Sequence, residues 1–234
     1  SAMSMKYLGE HFDIHTGGED HIAIHHTNEI AQSEAATGKK FVNYWLHGAF
    51  LTFKGEKISK SKGGLYTLSE LEKLGFNPLA YRYFILSCHY RSQLNFTLDN
   101  LKNAQNSYER LKNIISEIKD DNKENKKYLD EFEKAVNNDL DSPTALKVLW
   151  NLLRNKKAEG KLKTIKKIDE VLGLDLLKKE KIKTPENIAY LVKKRELARK
   201  DKNWQEADKI RQEVKKAGYS IDDTNQGPRL KKLN

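Results

Sequence analysis

Two chemistries divide this chain near residue 90, and the division limits what it can fold into. All seven histidines (His11, His15, His21, His25, His26, His47, His89) and nine of the thirteen glycines lie in residues 1–90, whereas residues 91–234 set Lys, Leu, Ile, Asn and Glu in helical rhythm. Short apolar runs between Gly-containing turns suit an α/β arrangement, and amphipathic stretches with short polar links suit packed helices. Charge divides at the same place. Residues 1–90 hold nine cations and nine anions; residues 91–234 hold 34 against 24 and so carry the whole formal +10. Basic charge away from the histidines points to a polyanion partner such as nucleic acid, or to a solvated lysine surface.

At 234 residues the chain can bury one large core or two to three small ones. It is 38% apolar and 32% charged. No apolar run approaches the roughly 18 residues that span a bilayer, and no basic-then-apolar leader is present, so a soluble chain away from membranes is expected. A single cysteine, Cys88, excludes a disulfide framework and fits a reducing cytoplasm.

Local patterns refine this. Phe12-Asp-Ile14 reads as a strand, Thr16-Gly-Gly-Glu-Asp20 as a turn, Asn28 to Ala36 as a short helix, and Phe41 to Phe53 as strand interrupted at His47-Gly48. Ser69 with Glu72 has the spacing of a capping box, and Asn77-Pro78 that of an N-cap followed by proline. Thr97 caps a long helix with Leu98, Leu101, Tyr108, Leu111, Ile114, Ile115 and Ile118 on one face. Three further stripes succeed it: Tyr128, Phe132 and Val136; Leu146, Leu149, Trp150 and Leu153 after a Ser142-Pro143 cap; and Leu162, Ile165, Ile168 and Val171. They predict an antiparallel helical bundle. Past Pro185, two helices (188–200 and 203–217) and two short strands around Gln226-Gly-Pro228 predict a small α+β tail.

Three stretches can carry chemistry. Lys57-Ile-Ser-Lys-Ser61, extended by Lys62-Gly-Gly64, gathers ammonium and hydroxyl donors as a leaving pyrophosphate requires, or is a solvated surface loop. Gly17-Gly18 lets a ligand approach the backbone, with Asp20 beyond to accept ribose hydroxyls, or is an ordinary turn with a solvated carboxylate. In His25-His26-Thr-Asn-Glu29, a helix begun by His25 puts His25 and Glu29 on one face. That pair can offer a metal two ligands, or simply hydrogen bond at a helix start.

Together and in this order these features resemble the cysteinyl-tRNA synthetases, a family of class I aminoacyl-tRNA synthetases. The resemblance rests on Ser1-Ala-Met, Phe12-Asp-Ile-His15, Gly17-Gly-Glu-Asp20, His25-His-Thr-Asn-Glu-Ile-Ala-Gln-Ser33, Val42-Asn-Tyr-Trp45, His47-Gly48 and Lys57-Ile-Ser-Lys-Ser61. Near the end Ala207-Asp-Lys-Ile-Arg211, Asp223-Thr224 and Gly227 add to it. It implies an α/β fold followed by all-α structure: the C-terminal half of a Rossmann-type catalytic domain (1–67), a stem-contact segment (68–104), a tRNA-binding helical bundle (105–184) and a small mixed anticodon-binding domain (185–234). It further implies activation of cysteine with ATP and Mg2+, transfer of cysteine to the 3′ end of its tRNA, a zinc site, and a cytoplasmic monomer.

Residue by residue, the resemblance makes Lys57, Ser59, Lys60 and Ser61 a KMSKS-like loop with Ile58 in place of Met. Lys60 would hold the ATP phosphates in the activation transition state with Lys57 in support. Gly17, Gly18 and Asp20 would meet the ribose, and His47-Gly48 the adenine. His25 and Glu29 match two of four zinc ligands, and His15 and His26 neighbouring histidines of the cysteine pocket. Lys193, Arg195, Arg199, Lys209, Arg211 and Arg229 are phosphate or base contacts, or solvated charges. The family's HIGH string and its two zinc-binding cysteines have no counterpart here, and Ala23-Ile24 and Thr27 depart from its usual residues. The expectation is therefore a C-terminal fragment that cannot activate cysteine alone; the alternative is a stand-alone tRNA-binding or regulatory module. A thiol-biosynthesis ligase sharing the catalytic half would lack a tail like 185–234.

Overall fold

The computed structural model describes residues 1–53, 56–57, 66–178, 185–224 and 227–232. The chain forms two compact units, Ser1–Leu177 and Lys178–Asn234.

The first unit opens with α1 (Ala2–Leu8), which buries none of its side chains. Strands β1 (Phe12–Gly18) and β2 (Val42–Gly48) then pair in parallel, from Phe12 opposite Val42 to Gly18 opposite Gly48. Parallel neighbours need a crossover. It is made of a 3-10 turn (Glu19–His21), a π-turn (Ile22–His26) and α2 (Thr27–Thr37), which stops at left-handed Gly38. The pairing carries β1 straight through Gly17-Gly18, so the expected turn at Thr16–Asp20 begins only after Gly18. Ile14 and Tyr44, opposite each other on the ladder, are 59% and 67% exposed, while Phe41 and Val42 at the start of β2 are buried.

A second small sheet has the order β4-β3-β5, with β3 (Leu51–Phe53) antiparallel to β4 (Glu56–Lys57) and parallel to β5 (Leu94–Phe96). The capping box of α3 (Leu68–Lys73) is Thr67 with Glu70, not Ser69 with Glu72. Thr67 is still extended and its hydroxyl accepts the Glu70 N–H, whereas Ser69 already lies inside the helix. Asn77 and Pro78 start α4 (Pro78–Leu86), and Thr97 caps α5 (Leu98–Ser116), as their spacing predicts.

Helices α4 and α5 pack with α6 (Lys126–Asn137), α7 (Ser142–Arg154) and α8 (Lys161–Leu172) around one apolar core that includes Leu101, Tyr108, Leu111, Phe132, Leu149, Leu152, Ile165 and Ile168. The cap of α7 is Asp141, whose carboxylate accepts the Thr144 N–H; Ser142 is the first helical residue. On α8 it is Leu172 that faces the core, and Val171 is 57% exposed. Past α8 the chain is tied down by polar contacts. The Asp169 carboxylate accepts from the Leu174 and Leu176 N–H groups at 2.8 and 2.7 Å, and the buried Tyr108 hydroxyl donates to the Leu174 carbonyl.

In the second unit, α9 (Glu186–Lys200) and α10 (Trp204–Lys216) precede an antiparallel hairpin of β6 (Tyr219–Thr224) and β7 (Gly227–Lys232). Its buried apolar core is small: Ile188, Ile210, Val214 and Ile221. Arg195, only 4% exposed, closes the unit with a bidentate pair to Asp223, both bonds 2.9 Å. Among the described residues no helix is long and apolar enough to cross a membrane.

Candidate active-site pocket

The alternation that exposes Ile14 and Tyr44 puts His15 and Gly17 of β1 on one face with Trp45 and His47 of β2, because His15 is opposite Trp45 and Gly17 opposite His47. The crossover folds its own histidines onto that face. His26 is 3% exposed and exchanges a hydrogen bond with His47, Nδ1 to Nε2 at 2.8 Å. The Trp45 ring lies 4.8 Å from that of His15 and 4.7 Å from that of His26. Gly17 is required here: a Cβ would stand 2.5 Å from His26 Cε1 and 2.7 Å from His21 Nδ1. The glycine thus makes room for the protein's own imidazoles. At Gly18 a Cβ would meet an Asp20 carboxylate oxygen at 2.5 Å, so Asp20 folds back against the strand end.

Glu29 is held from two sides. Its Oε2 accepts from His15 Nε2 at 2.6 Å, and its Oε1 lies 3.7 Å from His25 Nε2, one turn back, and 3.7 Å from the Ser1 amino group. Burial opposes ionisation of Glu29, but the hydrogen bond and charge of His15 outweigh it and hold the carboxyl below its ordinary value. Burial, and then the neighbouring His15 and His47, lower the His26 pKa, so this imidazole is neutral near pH 7. A buried neutral histidine can exchange a hydrogen bond without adding charge beside Glu29.

The donor chemistry suits zinc. Zinc–nitrogen and zinc–oxygen bonds near 2.1 Å place tetrahedral ligands about 3.4 Å apart. The 3.7 Å between His25 and Glu29 Oε1 matches that edge. The 2.6 Å contact of His15 is a hydrogen bond, too short for two ligands of one ion, and it orients the carboxylate as an outer partner does. His15, His26 and Glu29 also offer ligand-type atoms within 4.8 Å of one another. Cys88 is not part of this group: it follows α4, with its thiol directed to the Ser92 and Gln93 carbonyls.

The other expected residues are distributed unevenly. Lys57 lies on β4, and Ser59, Lys60 and Ser61 fall outside the described residues. In the second unit Arg195 and Arg199 both pair with Asp223, so they brace the fold and are not open cations. Lys193 and Lys209 are exposed, as is Arg211, and Arg229 lies on β7. Sequence reasoning gives no role to Trp45 or His21. Period-two alternation would find Trp45, which falls two residues before His47 on the same strand face. His21 carries no such signal, because a 3-10 turn has no face to predict.

Known proteins give this geometry a context. Residues 1–106 match the family described as tRNA synthetases class I (C) catalytic domain, and residues 183–228 match the cysteinyl-tRNA ligase anticodon binding domain. Cysteine–tRNA ligase 1 of Burkholderia lata is 45% identical over 98% of this chain and 50% of its own length. The cysteine–tRNA ligases of Brachyspira hyodysenteriae and Chlamydia muridarum are 40% and 38% identical over 99% and 100% of this chain and 54% and 55% of theirs. In fold, the chain is similar to Agrobacterium radiobacter K84 agnB2 LeuRS, solved as a ternary complex with tRNA and LeuAMS. That likeness has TM-score 0.50 and 17% identity, and covers 70% of this chain and 25% of the other. With a catalytic-domain match at one end, an anticodon-domain match at the other and relatives of one name aligned along its length, this chain belongs to the cysteinyl-tRNA synthetase family and spans about half the length of the curated relatives it matches.

Proposed function

We propose that the chain is the carboxy-terminal portion of a cysteine–tRNA ligase, which activates cysteine with ATP and passes it to the 3′ end of the tRNA for cysteine. The observation that carries this is Glu29, ionised and held between His15 and His25 beside the carboxyl ends of two parallel strands. Open α/β sheets bind their ligands at those ends.

His25 and Glu29 would hold zinc, with His15 fixing the carboxylate and neutral His26 packing the base of the cysteine pocket. Zinc, when bound, supplies a soft Lewis acid that distinguishes a thiolate from a hydroxyl. Asp20, folded against Gly18, would accept ribose hydroxyls beside the Gly17-Gly18 backbone, and His47-Gly48 would flank the adenine. Lys57, Ser59, Lys60 and Ser61 would steady the ATP phosphates, accompanied by Mg2+, as negative charge develops on the leaving pyrophosphate. The segments proposed are those the resemblance implies: 1–67, 68–104, 105–184 and 185–234, the last reading the anticodon with Lys193, Lys209, Arg211 and Arg229. The working protein is taken to be a monomer in the cytoplasm.

The test is cysteine-dependent ATP–pyrophosphate exchange by this chain alone and by the same chain fused behind the segment with which its relatives begin. Exchange by the fusion, reduced about 100-fold or more by Lys60→Ala, is the expected result. A folded fusion without exchange overturns the enzymatic reading and leaves a tRNA-binding or regulatory module. Exchange unaffected by Lys60→Ala removes the assignment of that lysine.

A further inference from the structure

The link between β2 and β3, Ala49-Phe50, is gripped from outside its own strands. The Ala49 N–H donates to the Tyr90 carbonyl at 2.8 Å, and the Phe50 carbonyl accepts from the Leu94 N–H at 3.3 Å. This link separates His47-Gly48 from the strands that lead to Lys57. Whatever fixes residues 89–91 therefore fixes the joint between two stretches proposed to meet ATP.

Apolar burial does not fix them. No side chain from 87 to 93 enters the core, although Leu86 and Leu94 on either side pack against it. The segment is tied instead to one residue of the α6–α7 loop. Asp139 uses three oxygens. Its Oδ1 accepts from the Tyr90 hydroxyl at 2.6 Å and from Arg91 Nη2 at 3.2 Å, its Oδ2 lies 2.7 Å from Arg91 Nε, and its carbonyl accepts from His89 Nε2 at 3.0 Å. His89 turns back on the same segment, its Nδ1 accepting the Arg91 N–H at 3.2 Å. The Tyr90 hydrogen bond foremost, with the bonds and charge of Arg91, keeps the Asp139 carboxyl below its ordinary value, so these contacts are charge-assisted near pH 7.

The loop takes an unusual backbone to make them. Asp139 and Leu140 are both left-handed, with φ of +54° and +57°. Leucine rarely adopts that conformation, and Leu140 is 52% exposed, so burial does not offset its cost. Exposed ion pairs add little to stability, and Arg91 and Asp139 are 64% and 46% exposed. What the convergent bonds supply is orientation.

We infer that Asp139 is a positioning residue for nucleotide binding: through Tyr90 it sets the place of Ala49, and with it the His47-Gly48 strand end that would flank the adenine. The inference rests on the ATP-dependent function proposed above and adds to it a residue of the helical portion.

The test has two arms. In the full chain labelled with 15N-alanine, Asp139→Gly keeps the left-handed backbone and removes the carboxylate. It should speed hydrogen exchange of the Ala49 amide, identified by Ala49→Gly, about 10-fold or more, and leave that of Ala104 in α5 unchanged. Tyr90→Phe should act in the same direction, and adding it to Asp139→Gly should change little, because both remove one hydrogen bond. In the enzyme formed by fusing the chain behind the segment with which its relatives begin, Asp139→Gly should raise KM for ATP about 10-fold, while kcat and KM for cysteine stay within about threefold. An unchanged Ala49 rate overturns the proposal. Equal acceleration at Ala49 and Ala104 does so too, because Asp139 then only stabilises the fold. An ATP KM equal to the parent's in an active fusion sinks the positioning role and leaves the enzymatic reading standing. A parent fusion without pyrophosphate exchange takes both down.

Discussion

A carboxylate whose two oxygens face different neighbours is the smallest unit of meaning in this pocket. Glu29 gives one oxygen to His15 and turns the other toward His25, so its role depends on the two partners being distinguishable. Gly17 sets where those partners' ring neighbours can stand. Adding a single methyl group at that position pushes on His26 and His21 at distances no packed side chain tolerates. Gly17→Ala is expected to cost about 1–3 kcal/mol, the range for overpacking a filled site, and to displace the His26 ring. Urea unfolding followed by Trp45 emission, in a chain with Trp150 and Trp204 replaced by Phe, would measure it. An unchanged midpoint would show that the histidines move aside freely. By contrast, Gly38 has open space around its would-be Cβ and is glycine for its backbone angle of +66° alone.

At the scale of elements, most of what the sequence foretells concerns helices, and the departures are instructive. Every apolar stripe from Leu98 to Leu172 forms a helix, because burial of a stripe decides both its existence and its facing. The caps sit one or two residues from their expected places, as at Thr67 for Ser69 and Asp141 for Ser142, since several hydroxyl and carboxylate side chains compete for the same amides. Gly17-Gly18 departs from the expected turn for another reason: pairing with β2 keeps extended a dipeptide that would bend in isolation. Nor is the stretch after α8 legible in the sequence. It is held by the side chain of Asp169, five and seven residues before the amides it binds. Asp169→Ala should strand the N–H groups of two almost fully buried leucines and cost about 2–3 kcal/mol. Thermal unfolding of the variant would show it, and a melting temperature equal to the parent's would mean that water or another acceptor replaces the carboxylate.

For the whole molecule, charge says more about partners than shape does. The formal +10 belongs to residues 91–234, yet it is not a uniform coat. Part of the positive charge is paired within the fold: Arg195 and Arg199 with Asp223, Lys194 with Glu206, Lys123 with Glu159. The hydrogen bond from Arg195 is the main reason the Asp223 carboxyl falls from 3.8 to about 2, with the charges of Arg195 and Arg199 adding to it against the cost of burial. A folded-state pKa below the unfolded one stabilises above the unfolded value, and that gain is lost as the pH falls from about 4 through 2. The shift would be worth a little over 2 kcal/mol if fully protected, and about 1 kcal/mol once solvent screening of a carboxylate 43% exposed is allowed for. Asp223→Asn should therefore destabilise the tail at pH 6 and narrow its gap to the parent chain at pH 2.5, read from Trp204 emission in a chain with the other two tryptophans replaced. An equal gap at both pH values would contradict the linkage. Arg110, Lys147 and Arg154, meanwhile, have no ion pair among the described residues, and no periodicity reveals which lysines and arginines find carboxylates.

The π-turn at Ile22–His26 has a consequence of phase. Successive residues of an α-helix are separated by about 100° around the axis, and a π-turn holds one residue more than the α-turn it replaces. Adjacent histidines therefore already diverge, His26 inward to His47 and His25 along the helix to Glu29; the extra residue sets the phase of that pair relative to the strand before it. Position along the chain is thereby converted into angle. A one-residue deletion between Ile22 and Ile24 would keep every histidine and every glutamate and the spacing of His25 to Glu29, yet rotate His26 away from His47.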